Sequence, residues 1–145
     1  MDTQQKDLSY FRLRLQELLN TSFPEKAFDA KFVEQRSSSA ANAYEGAFRS
    51  GNAIDQCNEI ANYILFEGLH FSKFDTVFQV VCKEFDTIMA EEELRPFALK
   101  MLLDCEPVFA RYELTDDFAY GYEYDLLYTE ITGTIAIWIE ENGLQ

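Results

Sequence analysis

Between Tyr112 and Glu130 the chain sets Tyr112, Tyr120, Tyr122, Tyr124 and Tyr128 among Glu113, Asp116, Asp117, Glu123, Asp125 and Glu130. Two chemistries suit that mixture. Paired carboxylates can act as general acid and base, as in glycoside hydrolysis, given a cleft and one raised pKa. Tyrosine also offers a large apolar area with a polar tip, which favours it at protein interfaces. Negative charge around such residues selects a basic protein surface as the complement. The partner face is therefore expected over Tyr112, Glu113, Asp116, Asp117, Tyr120, Tyr122 and Glu123. The competing reading is structural: half of the tyrosines fill the core and the acids coat its wet side.

Other reactive residues give weaker signals. Glu67-Gly-Leu-His70 has the Glu-x-x-His spacing that di-iron bundles use on one helix face. Those sites need two such motifs and two further glutamates, and His70 is the only histidine here. Gly68 also marks a helix end between the two residues. A Cys–His hydrolase would pair His70 with Cys57, Cys82 or Cys105. Reactive thiols want an electropositive, partly exposed setting. Cys57 and Cys82 fall on apolar stripes, and Glu106 beside Cys105 would raise its pKa. No glycine-rich phosphate loop, G-x-S-x-G elbow or Cys-x-x-Cys pair is present. No metal or cofactor is expected, and no catalytic residue is assigned.

The elements that must hold these side chains read as helices. Leu8, Phe11, Leu15, Leu18 and Leu19 recur at helical spacing, so a first helix runs from about Asp7 to Asn20. A second, over Asp29–Ser50, carries the alanine-rich stripe Val33, Ala40, Ala43, Tyr44, Ala47 and Phe48. Arg36 shares that stripe, at its edge or partnered by an acid. Gly51 stops this helix, and a third follows over Ala53–Glu67. Ser72 with Asp75 signals the start of a helix to Met89. Phe74, Val77, Phe78, Val80, Val81, Cys82, Phe85, Ile88 and Met89 cover roughly 200° of its wheel, which makes it the central helix. Asp75, Thr76, Gln79 and Lys83 share the remaining arc.

Glu91-Glu-Glu93 opens a further helix to about Asp104, with Pro96 tolerated in its first turn. Pro107 to Tyr112 can form a short helical turn, and Thr115–Gly121 reads as a loop. In the last segment Ile131, Gly133, Ile135, Ile137 and Ile139 alternate like a strand. A wheel instead gathers Tyr124, Leu127, Tyr128, Ile131, Thr134, Ile135, Trp138 and Ile139 within roughly 140°. No other alternating segment could pair with a strand, so helix is the reading. The expected fold is all-α: a single compact domain of about six helices spanning residues 1–145.

Charge narrows the partners. Of 145 residues, 12 are Lys or Arg and 26 are Asp or Glu, a net charge of -14. Residues 1–73 carry eight cations against ten acids, whereas residues 74–145 carry four against sixteen. After Arg111 come eight acids and no cation. This argues against binding a phosphate backbone or an anionic membrane, both of which need clustered Lys and Arg. It permits a basic partner or simple solubility. The N-terminus lacks an apolar signal core, and three widely spaced cysteines read as free thiols in a reducing compartment. A cytoplasmic location is expected, with monomer and homodimer both open.

Phe66-Glu-Gly-Leu-His-Phe-Ser-Lys-Phe-Asp75 and Cys105-Glu-Pro-Val-Phe-Ala-Arg-Tyr-Glu-Leu-Thr-Asp-Asp-Phe-Ala-Tyr120 carry a resemblance. They resemble a bacterial family of helical proteins known only as a domain of unknown function, common on conjugative transposons of gut and oral anaerobes. The likeness runs nearly end to end, to Ile137-Trp-Ile-Glu-Glu-Asn-Gly143. It implies an all-helical cytoplasmic domain with no assigned activity, catalytic residue or cofactor. The reading that follows is a non-enzymatic accessory or protein-interaction module. Two alternatives stand beside it: an acidic decoy resembling nucleic-acid charge, and a carboxylate-based hydrolase.

Overall fold

In the computed structural model, which describes residues 7–144, every regular element among the described residues is helical. The chain divides into two compact units, Met1–Leu69 and His70–Gln145, each with its own cluster of buried side chains.

The first unit holds α1 (Leu8–Ser22), α2 (Ala30–Arg49) and α3 (Ile54–Leu65). Asp7 and Asp29 cap α1 and α2, each carboxylate accepting the amide three residues on, at 3.1 Å in both. Helix α2 buries Val33, Ser37, Ala40, Tyr44 and Ala47, a stripe of alternating four- and three-residue steps. Facing it are Phe11, Leu15 and Leu19 of α1 and Cys57, Ala61 and Leu65 of α3. The small residues on α2 and α3 let those two helices approach closely.

Arg36 stands half-buried at the edge of the stripe, and its partners are carbonyls rather than an acid. Its Nη1 donates to the carbonyls of Leu65 and Glu67, at 3.2 and 2.7 Å, satisfying oxygens that the end of α3 leaves open. Helix α3 thus stops at Leu65, two residues short of the expected end. Gly68 at φ +77° then turns the chain.

The second unit holds α4 (Lys73–Glu84), α5 (Glu91–Asp104), the single turn α6 (Glu106–Phe109), a 3₁₀ turn (Phe118–Tyr120) and α7 (Glu123–Asn142). The Ser72 hydroxyl accepts the Asp75 amide at 2.9 Å, the capping bond the sequence announced. Helix α4 is central to this unit, packing on both α5 and α7. It is shorter than expected, however, ending at Glu84 rather than Met89. Asp86, Thr87 and Ile88 are weak helix formers, and the next helix needs its own start at Ala90, whose amide the Glu93 side chain receives.

The consequences for the core are specific. Phe74, Val77, Val80 and Val81 are fully buried, while Phe78 and Phe85 only flank the cluster and Ile88 is half exposed. Thr76, expected on the polar arc, is buried, because its hydroxyl bonds back to the Ser72 carbonyl at 3.2 Å. The final segment is a helix, as the wheel requires. Leu127, Ile131 and Ile135 are fully buried, and Gly143 at φ +76° ends it. Among the described residues no helix is long and apolar enough to cross a membrane.

Candidate functional site

The tyrosines of the acidic segment divide between inside and outside, and the local backbone explains which goes where. Buried Phe118 anchors the 3₁₀ turn and meets Tyr112, Phe71 and Tyr124 at ring distances of 5.7, 5.3 and 6.5 Å. Phe118 takes the inward position of this short turn, which ends at Tyr120, and the extended backbone at Gly121 leads the chain on along the surface. Tyr120 and Tyr122 are consequently 89% and 84% exposed. Thr115 fixes the approach to the turn, its hydroxyl donating to the Asp117 carboxylate at 2.7 Å.

Tyr112, Tyr124 and Tyr128 turn inward, and each hydroxyl is met by a side-chain oxygen. Tyr112 donates to Glu130, whose other oxygen receives Arg111 at 2.8 Å. Tyr128 donates to Glu84 at 2.8 Å and Tyr124 to Gln79 at 3.4 Å. The bond to Glu130 holds the Tyr112 phenol above its ordinary pKa, with burial adding to it. Burial, then the bond to Glu84, pushes Tyr128 up to about 12. Both phenols are held as donors.

Five of the seven predicted face residues come together. Glu113, Asp117, Tyr120, Tyr122 and Glu123 line one open concavity of about 290 Å³, with Phe118, Thr115 and Gly121. Asp116 is exposed but lies outside that lining, and Tyr112 belongs to the packed side. The carboxylates at the concavity are all exposed to water.

The other reactive groups sit apart. Glu67 and His70 are not on a helix, since α3 has already ended, so the i, i+3 geometry that their spacing suggested does not form. Both are exposed. Cys57 and Cys105 are fully buried. Burial, followed by Asp104 and Glu106, pushes the Cys105 thiol up to about 12. Burial, then Asp86 and Glu91, raises Cys82 as well. Such thiols stay protonated and are poor nucleophiles.

Sequence reasoning missed a second concavity, of about 350 Å³, where Ile88, Met89, Phe97, Lys100 and Trp138 meet. Their spacing in the sequence places Ile88 and Met89 on the buried stripe of a longer α4. Only the early end of that helix frees them, and nothing in their spacing signals it.

A family model described as a domain of unknown function (DUF1896) matches residues 3–144. The crystal structure of protein PG0816 from Porphyromonas gingivalis is similar, with 40% sequence identity and a TM-score of 0.90. That match covers 99% of this chain and 97% of that one. Among curated proteins, nothing matches.

Proposed function

The chain belongs to the DUF1896 family, whose description assigns no activity, and on that premise we propose a non-enzymatic accessory module that binds a basic protein surface. The observation that carries this reading is the pair of nearly bare tyrosines, Tyr120 and Tyr122, on a concavity rimmed by Glu113, Asp117 and Glu123. An exposed aromatic ring loses water favourably only when something covers it, and interface centres are enriched in tyrosine for that reason. The carboxylates add long-range attraction for a cationic partner and so act chiefly on its rate of arrival.

Other features support the same choice over a hydrolase. A carboxyl acting as general acid needs burial to raise its pKa, whereas these stand in water. The Cys82 and Cys105 thiols are held protonated. Three free cysteines suit the cytoplasm. An accessory role on a conjugative element accords with a relative in Porphyromonas gingivalis, an oral anaerobe.

The test uses the full chain as bait in extracts of its host, washed at low and high salt. Basic proteins should be retained at low salt and released as it rises, since exposed charges are screened beyond about 8 Å at physiological ionic strength. Asp116→Asn with Asp117→Asn should slow association of the captured partner, and Tyr120→Ala or Tyr122→Ala should speed its release. A partner whose binding ignores salt and all four changes would remove this face from the account.

A further inference from the structure

The concavity beside Trp138 is built differently from the acidic one. The turn at Ile88–Met89, the first half of α5 and the end of α7 enclose it. Apolar side chains, Phe97 and Trp138 among them, share its lining with Glu92, Glu93 and Lys100. Phe97 and Trp138 meet edge to face at 5.7 Å, and Ile88 is 49% exposed beside them.

Two of its charged groups stand at well-separated backbone positions on α5. Glu92 stands in the first turn of α5 and Lys100 eight residues later, about 12 Å further along at 1.5 Å per residue. Glu93 holds the Ala90 amide on its Oε1 at 2.8 Å, whereas Glu92 makes no such bond among the described residues and is the freer carboxylate. Lys100 is out of keeping with its surroundings. Residues 74–145 hold sixteen acids and four cations, yet Lys100 makes no salt bridge among the described residues. Its ammonium instead lies over the Trp138 ring, 4.7 Å from the centroid.

We infer that this cleft binds a short zwitterionic peptide of about three residues with an apolar central side chain. Three extended residues span roughly 10 Å, which places the peptide's ammonium at Glu92 and its carboxylate at Lys100. The central side chain then covers Phe97 and Trp138. A simple carboxylate ligand would be repelled at the Glu92 end and a simple amine at the Lys100 end, so only a ligand charged at both ends satisfies both. At about 350 Å³ the cleft is at the small end of ligand sites, which suits a peptide of this length.

Trp138 is the single tryptophan of the chain and reports the site directly. Titrating the full-length protein with Ala-Leu-Ala should change Trp138 fluorescence saturably. N-acetylation or C-amidation of the peptide should each weaken binding roughly two- to fivefold, the worth of one exposed ion pair. In Lys100→Gln the effect of C-amidation should vanish while that of N-acetylation remains, and in Glu92→Gln the reverse should hold. Both side chains are exposed, so neither change threatens the fold. Absence of a saturable response, indifference to blocking, or variants that keep both sensitivities would each overturn the assignment.

Discussion

Truncating Phe74 to alanine should be the most damaging single change in the second unit. Its side chain is fully buried, stacks on Phe78 at 5.6 Å and lies beneath the Arg95 guanidinium at 4.7 Å. Returning a buried phenylalanine side chain to water costs about 1.5–3 kcal/mol. A residual cavity adds about 24 cal/mol per Å³, or roughly 2 kcal/mol for a space of about 80 Å³. The sum is about 4 kcal/mol, within the roughly 3–5 kcal/mol that such truncations cost. Phe85, half-buried at the end of α4, should cost less, about 1–2 kcal/mol.

Urea unfolding followed by Trp138 emission suits the question, because the tryptophan belongs to the same unit as Phe74. With a urea dependence of about 1–3 kcal/mol per molar, the midpoint should fall by roughly 1.5–4 M. Circular dichroism recorded alongside reports the helices of both units. A Phe74→Ala loss below about 1 kcal/mol, or one smaller than that of Phe85→Ala, would refute the central place given to α4.

Three further changes follow from single groups. Ser37→Ala should raise stability by about 1 kcal/mol in urea melts, since its buried hydroxyl has no hydrogen-bond partner among the described residues and alanine is the better helix former. Ser72→Ala should lower stability by about 1 kcal/mol through the lost cap, with no change in urea dependence. Tyr128, whose folded pKa of about 12 stands above the ordinary 10, should contribute stability that is intact below pH 10 and lost as pH rises towards 12. In Tyr128→Phe, stability measured against pH should show a smaller loss across that window.

What the sequence disclosed was decided largely by helical periodicity. The Leu127, Ile131 and Ile135 stripe was visible because buried positions on a helix repeat, and their alternation as a strand had no partner to satisfy it. Caps were equally legible where a hydroxyl precedes an apolar run, as at Ser72. The end of α4 was not, because no glycine or proline marks it. An apolar stripe continued in sequence through Ile88 and Met89 after the helix had stopped. The partners of Arg36 are hidden in the sequence for a related reason. Its partners are backbone carbonyls of Leu65 and Glu67, about thirty residues away, and every residue type presents those. The candidate site stood midway: its composition was plain, but which tyrosines face water depends on the short turn that buried Phe118 anchors.

That division also gives the charge of the second half two separate jobs. Glu84 and Glu130 each receive a tyrosine hydroxyl, and Arg111 further balances Glu130. These acids are part of how α7 is held, and replacing them would strand inward phenols. Glu113 and Glu123 serve no such bond among the described residues, and the bond Asp117 makes is confined to its own turn. Glu123 also stands in the first turn of α7, where the helix dipole favours an acid, so Glu113 has the least structural reason for its charge. The proposed binding of a cationic surface therefore predicts that Glu113→Gln leaves stability unchanged while slowing association, with urea melts and binding kinetics as the two readouts.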